Sequence, residues 1–145
     1  MRKRFKAKDH TLYETTSEIF EFRRKIINLI YEAKKVIGFP LPRVDVRVVE
    51  YDKRSVLGRS HGNLFITISY NKHKDEPLNY LRATVWHELC HAWFNAEHVL
   101  SCPLMAPIAS LNTPTKKKLE TALKKVANKK MSIPQERRSF KEARL

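Results

Sequence analysis

Acidic residues are scarce in this chain: 15 Asp and Glu stand against 29 Lys and Arg, a formal net charge of +14 over 145 residues. The imbalance sits at the ends, with five basic and no acidic residues in 1–8, and eleven basic against three acidic in 114–145. Arms of this kind bind polyanions, nucleic acid first among them, or serve only to keep a small protein in solution. Cysteine is rarer still. Two residues, Cys90 and Cys102, make no disulfide framework and fit a reducing compartment. No stretch approaches the roughly 18 consecutive apolar residues of a membrane span. Residues 1–30 also lack the apolar core and small-residue cleavage site of a secretory signal. The expectation is a cytoplasmic protein without a membrane partner.

An apolar share of 42% supports folding, and the length suits one domain with its own core. Thr15-Thr16-Ser17-Glu18 has the form of a capping box, followed at helical spacing by Ile19, Phe22, Ile26, Ile30, Ala33 and Ile37, with Gly38 and Pro40 as the stop. Val44, Val46 and Val48 then alternate with Asp45 and Arg47, and Leu64, Ile66 and Ile68 with Phe65, Thr67 and Ser69, which predicts two strands. Asp75-Glu76-Pro77 reads as the start of a second helix with a buried stripe through Leu78, Leu81, Val85, Leu89 and Ala92. The proline-rich run Cys102–Pro107 breaks the pattern, and Thr113-Pro114 opens a third helix, narrow in apolar residues and dense in lysine. The expected fold class is therefore α+β: a backing helix, a small antiparallel or mixed sheet, a central helix and a basic C-terminal helix. Residues 1–13 are expected to form a basic arm, 14–130 the single domain, and 131–145 a loose basic tail.

On the central helix lies His87-Glu88-Leu89-Cys90-His91. A helix advances about 100° per residue, so His87 and His91 share one face, one turn apart, within reach of one metal ion. Glu88 stands one position round, where it can take a proton from a metal-held water and pass it to a leaving amine. Val85, Trp86, Leu89, Ala92, Trp93 and Phe94 make this the most apolar helix of the chain, and ionisable groups in such a setting are costly without a partner. A Zn²⁺ ion supplies one. The competing reading is a hydrogen-bonded pair of core histidines with no metal.

A catalytic zinc has three protein ligands and one open position, so a third donor is required. His98 is the first candidate. On an unbroken helix it would share the face of His87 and His91 but lie about 10 Å from His91 along the axis at 1.5 Å per residue, so the helix must stop first. Asn95, a residue that tolerates the left-handed conformation, can stop it. Glu120 is a second candidate, and Cys102 and Glu97 are others. His61, His73 and His10 fit no ligand spacing; His61 beside Gly62, and Tyr70 and Tyr80, are candidates for polarising a carbonyl, with turn and packing roles preferred. The edge of the strand at 65–69 is a candidate seat for an extended substrate. On the third helix Lys116, Lys117, Lys118, Lys124 and Lys125 are the candidate nucleic-acid contacts.

The order helix, strand, strand, helix with H-E-x-x-H resembles a minimal zincin metallopeptidase. Leu57-Gly58-Arg59, the run Phe65–Ser69, Leu81 and His87–Ala92 are similar to the SprT-like proteins, over roughly residues 14–100. H-E-x-x-H-x-x-x-N-x-x-H also resembles the metzincin signature, with Asn95 for its glycine and one residue added before it, and Met105 and Pro107 are candidates for its methionine-containing turn. The resemblance implies Zn²⁺ as cofactor, a protein or peptide substrate, and proteins bound to nucleic acid as a target. Two other readings stay open. The three histidines also resemble, with spacing off by one, those of small zinc endoribonucleases of bacterial ribosomal RNA maturation. A zinc-stabilised nucleic-acid-binding module without catalysis is the other.

Overall fold

A computed structural model describes residues 4–6, 9–53, 55–99, 101–106, 113–131 and 140–144, with backbone alone at 4–6, 130–131 and 140–144. Its described residues form three helices and six strands: β1 Arg4–Lys6, β2 His10–Tyr13, α1 Ser17–Ile37, β3 Asp45–Tyr51, β4 Val56–His61, β5 Phe65–Ser69, α2 Leu78–Phe94, α3 Lys116–Met131 and β6 Phe140–Arg144. This is an α+β domain with an open mixed sheet.

Helix α1 begins where a side-chain oxygen satisfies an orphan backbone donor. Thr16 is the cap, its Oγ1 accepting from the Ile19 N–H at 3.4 Å, one residue later than a Thr15–Glu18 capping box would place it. At the other end Gly38 takes φ 84°, and its N–H closes onto the Lys34 carbonyl at 2.9 Å. Ile19, Phe22, Ile26, Leu29, Ile30 and Ala33 form the buried stripe between.

The sheet runs in the order β1-β2-β3-β5-β4-β6; β3 and β5 are parallel and every other pair is antiparallel. Val46 and Val48 on β3 and Ile66 and Ile68 on β5 pair directly and turn their side chains into the core shared with the helices. Gly58 on β4, opposite Ile68, faces the same way, and a Cβ built there would lie 3.2 Å from the Thr84 methyl on α2 and 3.0 Å from the Thr67 carbonyl oxygen. Only glycine lets the central helix lie this close to β4. The far side of the sheet is also covered in part, since Val49, Tyr51 and Val56 form a second cluster with Leu12.

Helix α2 is enclosed by the sheet, α1 and α3, and from Leu81 to Phe94 all but Ala83 is buried. Its placement is indexed by specific bonds. The Trp86 indole donates to the Leu29 carbonyl on α1 and the Trp93 indole to the Pro42 carbonyl, each at 2.9 Å. The Arg82 guanidinium grips both Glu32 oxygens at 2.8 and 3.3 Å.

Five expectations need correction. β4 is a strand the alternation rule passed over: Gly58, Arg59 and Ser60 are not a hydrophobic alternation, although all are buried. The supposed N-terminal arm contributes β1 and β2, and the supposed loose tail contributes β6. Strand addition is satisfied by backbone donors and acceptors, which basic composition neither reveals nor forbids. As a result β5 lies between β3 and β4, so it has no free edge for a substrate. Lastly, α3 begins at Lys116, after Thr113-Pro114.

Candidate metal centre

Helix α2 carries His87, Glu88 and His91 in its second half, and ends immediately after. Asn95 adopts φ 50° and ψ 37°, the left-handed conformation expected of it, and is the single non-glycine residue with positive φ among the described residues. The Asn95 N–H returns to the His91 carbonyl at 3.0 Å, and the Ala96 N–H reaches back six residues to the Cys90 carbonyl at 3.3 Å. That closure reverses the chain. The reversal carries His98 back over the helix end instead of onward along the axis.

The three imidazoles converge. Nε2 of His87 lies 3.1 Å from Nε2 of His91 and 3.3 Å from that of His98, and the His91–His98 separation is 3.1 Å. Among the described residues this is the one cluster of three His, Cys, Asp or Glu side chains close enough to share a metal ion. His87 and His91 are buried and His98 is exposed, so the cluster has a closed back and an open front.

The other ring nitrogens explain the orientation. Nδ1 of His87 donates to the Leu104 carbonyl at 2.7 Å, and Nδ1 of His91 to the Ala96 carbonyl at 2.6 Å. A carbonyl only accepts, so each Nδ1 carries the proton, and in the neutral ring each Nε2 presents a lone pair. Burial, with help from the neighbouring His98, lowers the pKa of His87 to about 4, against a smaller opposing effect of the Leu104 bond. With its proton at Nδ1, His87 turns the Nε2 lone pair toward Nε2 of His91 at hydrogen-bond distance, an arrangement that a shared cation would stabilise. The spacing fits one. A tetrahedral zinc with Zn–N bonds of about 2.0–2.1 Å would hold its nitrogens about 3.3–3.4 Å apart, close to the separations found.

The supporting carbonyls had no sequence signal, because a carbonyl carries no residue identity. Ala96 is fixed by the Asn95 turn. Leu104 is fixed by a turn in which the Val99 N–H donates to the Met105 carbonyl at 2.8 Å and the Met105 N–H to Cys102 Sγ at 3.4 Å. The proline-rich run after the helix is thus a support for His87, with Met105 buried beside it; Pro107 lies outside the described residues.

Glu88 is wholly buried on α2. Of the other third-donor candidates, Glu97 is exposed, Glu120 is half-buried on α3 and Cys102 is half-buried with its sulfur in the Leu104 turn; none joins the histidine cluster. His61 lies on the sheet face turned away from α2, stacked on Phe65 with ring centroids 4.3 Å apart. Burial lowers its pKa to about 4, with Arg59 adding to the effect. His10 approaches Asp9 at 2.9 Å. Tyr70 packs edge-on to Tyr13 and Phe22, and Tyr80 lies against His73, so both take packing positions.

On α3, Leu119, Ala122, Leu123 and Ala127 face inward. Lys117, Lys118, Lys124 and Lys125 are exposed on the opposite arc together with Lys129. Lys116 stands apart from them, its Nζ 3.5 Å from Glu32.

No family model matches the chain, and no curated protein or solved structure matches it. No helix of the described residues is long and apolar enough to cross a membrane.

Proposed function

We propose that this protein is a zinc-dependent endopeptidase of SprT-like, zincin type, with His87, His91 and His98 as metal ligands and Glu88 as general base. The observation that carries the reading is the convergence of three Nε2 atoms, two of them on rings whose proton is held at Nδ1 by a backbone carbonyl. When bound, zinc would supply Lewis acidity toward a peptide carbonyl and lower the pKa of an attacking water. The chain's own residues would do the rest. Glu88 accepts a proton from the water as its oxygen bonds to the carbonyl carbon, then gives that proton to the amine nitrogen as the C–N bond breaks. The Leu104 and Ala96 carbonyls hold the His87 and His91 rings in the tautomer a ligand needs.

The test is metal content together with turnover. Purified protein should hold one equivalent of zinc, lost in His98→Ala. Glu88→Gln should keep the metal while cleavage of an unfolded protein falls by about 10²- to 10⁴-fold. Cleavage undiminished in Glu88→Gln would refute the mechanism.

A second reading, association with nucleic acid, is favoured by the outward arc of Lys117, Lys118, Lys124, Lys125 and Lys129. Such a surface binds phosphates with little sequence preference and a steep salt dependence. Reversing Lys117, Lys124 and Lys125 to Glu should weaken binding to a DNA or RNA duplex and flatten its salt slope by about one for each phosphate no longer engaged. Structured RNA incubated with and without chelator would reveal endoribonuclease activity in place of proteolysis.

A further inference from the structure

We infer that the C-terminal strand β6 is a built-in competitor: it occupies the sheet edge at which an extended polypeptide would be presented to the metal centre. The inference rests on the peptidase reading above and adds a regulatory device to it.

Three observations lead there. The first concerns place. β4 is the strand against which α2 packs most tightly, through Gly58 and Thr84, and β6 lies along its outer edge, in contact with α2 as well. The register runs from His61↔Phe140 through Ser60↔Lys141 and Arg59↔Glu142 to Gly58↔Ala143. The His61 end of β4 pairs with Phe65, at the start of β5. The far end of β5 is joined to the first half of α2, since His73 bridges the Ser69 carbonyl and Thr84 Oγ1 at 2.7 and 2.9 Å. From Ser69 back to Ile66 is about 10 Å of strand, and the same distance along a helix is about seven residues. The Ser60–Ile66 level of the sheet therefore lies beside the half of α2 that bears Glu88 and His91, and β6 begins there.

The second concerns chemistry. Backbone pairing at a sheet edge is indifferent to side chains, so whatever extended segment reaches β4 competes for the same donors and acceptors. An antiparallel peptide strand and β6 are mutually exclusive occupants. The third is that both carboxylate oxygens of Glu88 are out of contact with solvent. A base that must meet water and an amine needs an opening, and β6 is the strand at the rim of the sheet, paired to β4 and touching α2.

Two full-length variants test this from opposite sides. Ser60→Cys with Lys141→Cys places two thiols at directly paired positions, within disulfide reach for cross-strand neighbours, and locks β6 in place on oxidation. Ala143→Pro puts a residue without an N–H, and with its φ fixed, into the paired segment opposite Gly58 and is expected to loosen β6. The probes are a labelled peptide with the sequence of residues 140–144, followed by anisotropy, and an unfolded-protein substrate. The peptide should bind Ala143→Pro about tenfold more tightly than the parent chain, and should not bind the oxidised double-cysteine variant until it is reduced. Turnover should follow the same order.

Failure of the disulfide to form would deny the pairing and overturn the inference. So would equal peptide binding by the locked and reduced forms, or equal turnover in both. If peptide binding follows the expected order but no variant cleaves the substrate, the strand is a competitor for an edge that binds peptides, and it is the peptidase reading that fails.

Discussion

Two buried histidine environments against the same helix differ in one respect. Around the first half of α2, His73 is matched at both nitrogens: Nδ1 donates to the Ser69 carbonyl and Nε2 meets Thr84 Oγ1, a hydroxyl able to donate. Around the second half, His87 and His91 are matched at Nδ1 by carbonyls, and their Nε2 atoms face each other and His98. Burial lowers the pKa of both His73 and His87 to about 4. Depth and titration thus fail to distinguish them, and complementarity does. His73 completes a strand-to-helix bridge, whereas the other pair is placed where, with His98, it could hold a metal ion.

The sharpest way to break this contrast is to delete each ring in turn. His87→Ala should abolish stoichiometric zinc, read by elemental analysis. His73→Ala should keep it, while chemical denaturation reports a loss of about 2–4 kcal/mol from a cavity and stranded hydrogen-bond partners. Equal zinc in both variants would erase the distinction.

Acid should act on the two environments in the same direction and separate them only through metal. His73 is held neutral when folded, with its pKa lowered from an ordinary 6.5 to about 4, so an unfolded chain binds more protons between those values. Its contribution is fully present above about pH 6.5 and is lost as pH falls toward 4, by roughly 3 kcal/mol. His87 follows the same sign in metal-free protein. Denaturation midpoints from pH 7 to 4 should therefore fall, and His73→Ala should fall less steeply than the parent.

A smaller effect isolates the turn. Asn95→Ala places a Cβ-bearing residue without a local polar side chain in the left-handed region, at about 1 kcal/mol, and should weaken zinc binding about tenfold by loosening Ala96 and His98. Asn95→Gly should match the parent. Competition with a chromogenic chelator measures both.

The parts of this molecule that could be read from its residues share a physical cause. Helix α1, the alternating β3 and the spacing of His87 and His91 are periodic features, and Asn95 was readable because few residues accept positive φ. Convergence of His98 followed from it. β4 could not be read, because Gly58 and Arg59 take their places through a close helix contact and the ion pair of buried Arg59 with Asp9, neither local. β1 and β6 were hidden by composition, since lysine and arginine mark a segment as soluble while its backbone remains free to pair, and β2 is a four-residue stretch too short to show a period. The supporting carbonyls of Ala96 and Leu104 follow from chain path alone.

Trp86 and Trp93 stand seven residues apart, close to two full turns, and their indoles are hooked to fixed carbonyls at Leu29 and Pro42. The helix is keyed to its housing like a shaft in a slot. One extra residue between the two keys would throw them out of phase by about 100° and swing His87 or His91 away from its supporting carbonyl, that of Leu104 or Ala96. Changes in chain length that spare the metal centre must therefore fall outside 86–93, in the connections before Leu78 and after Met105.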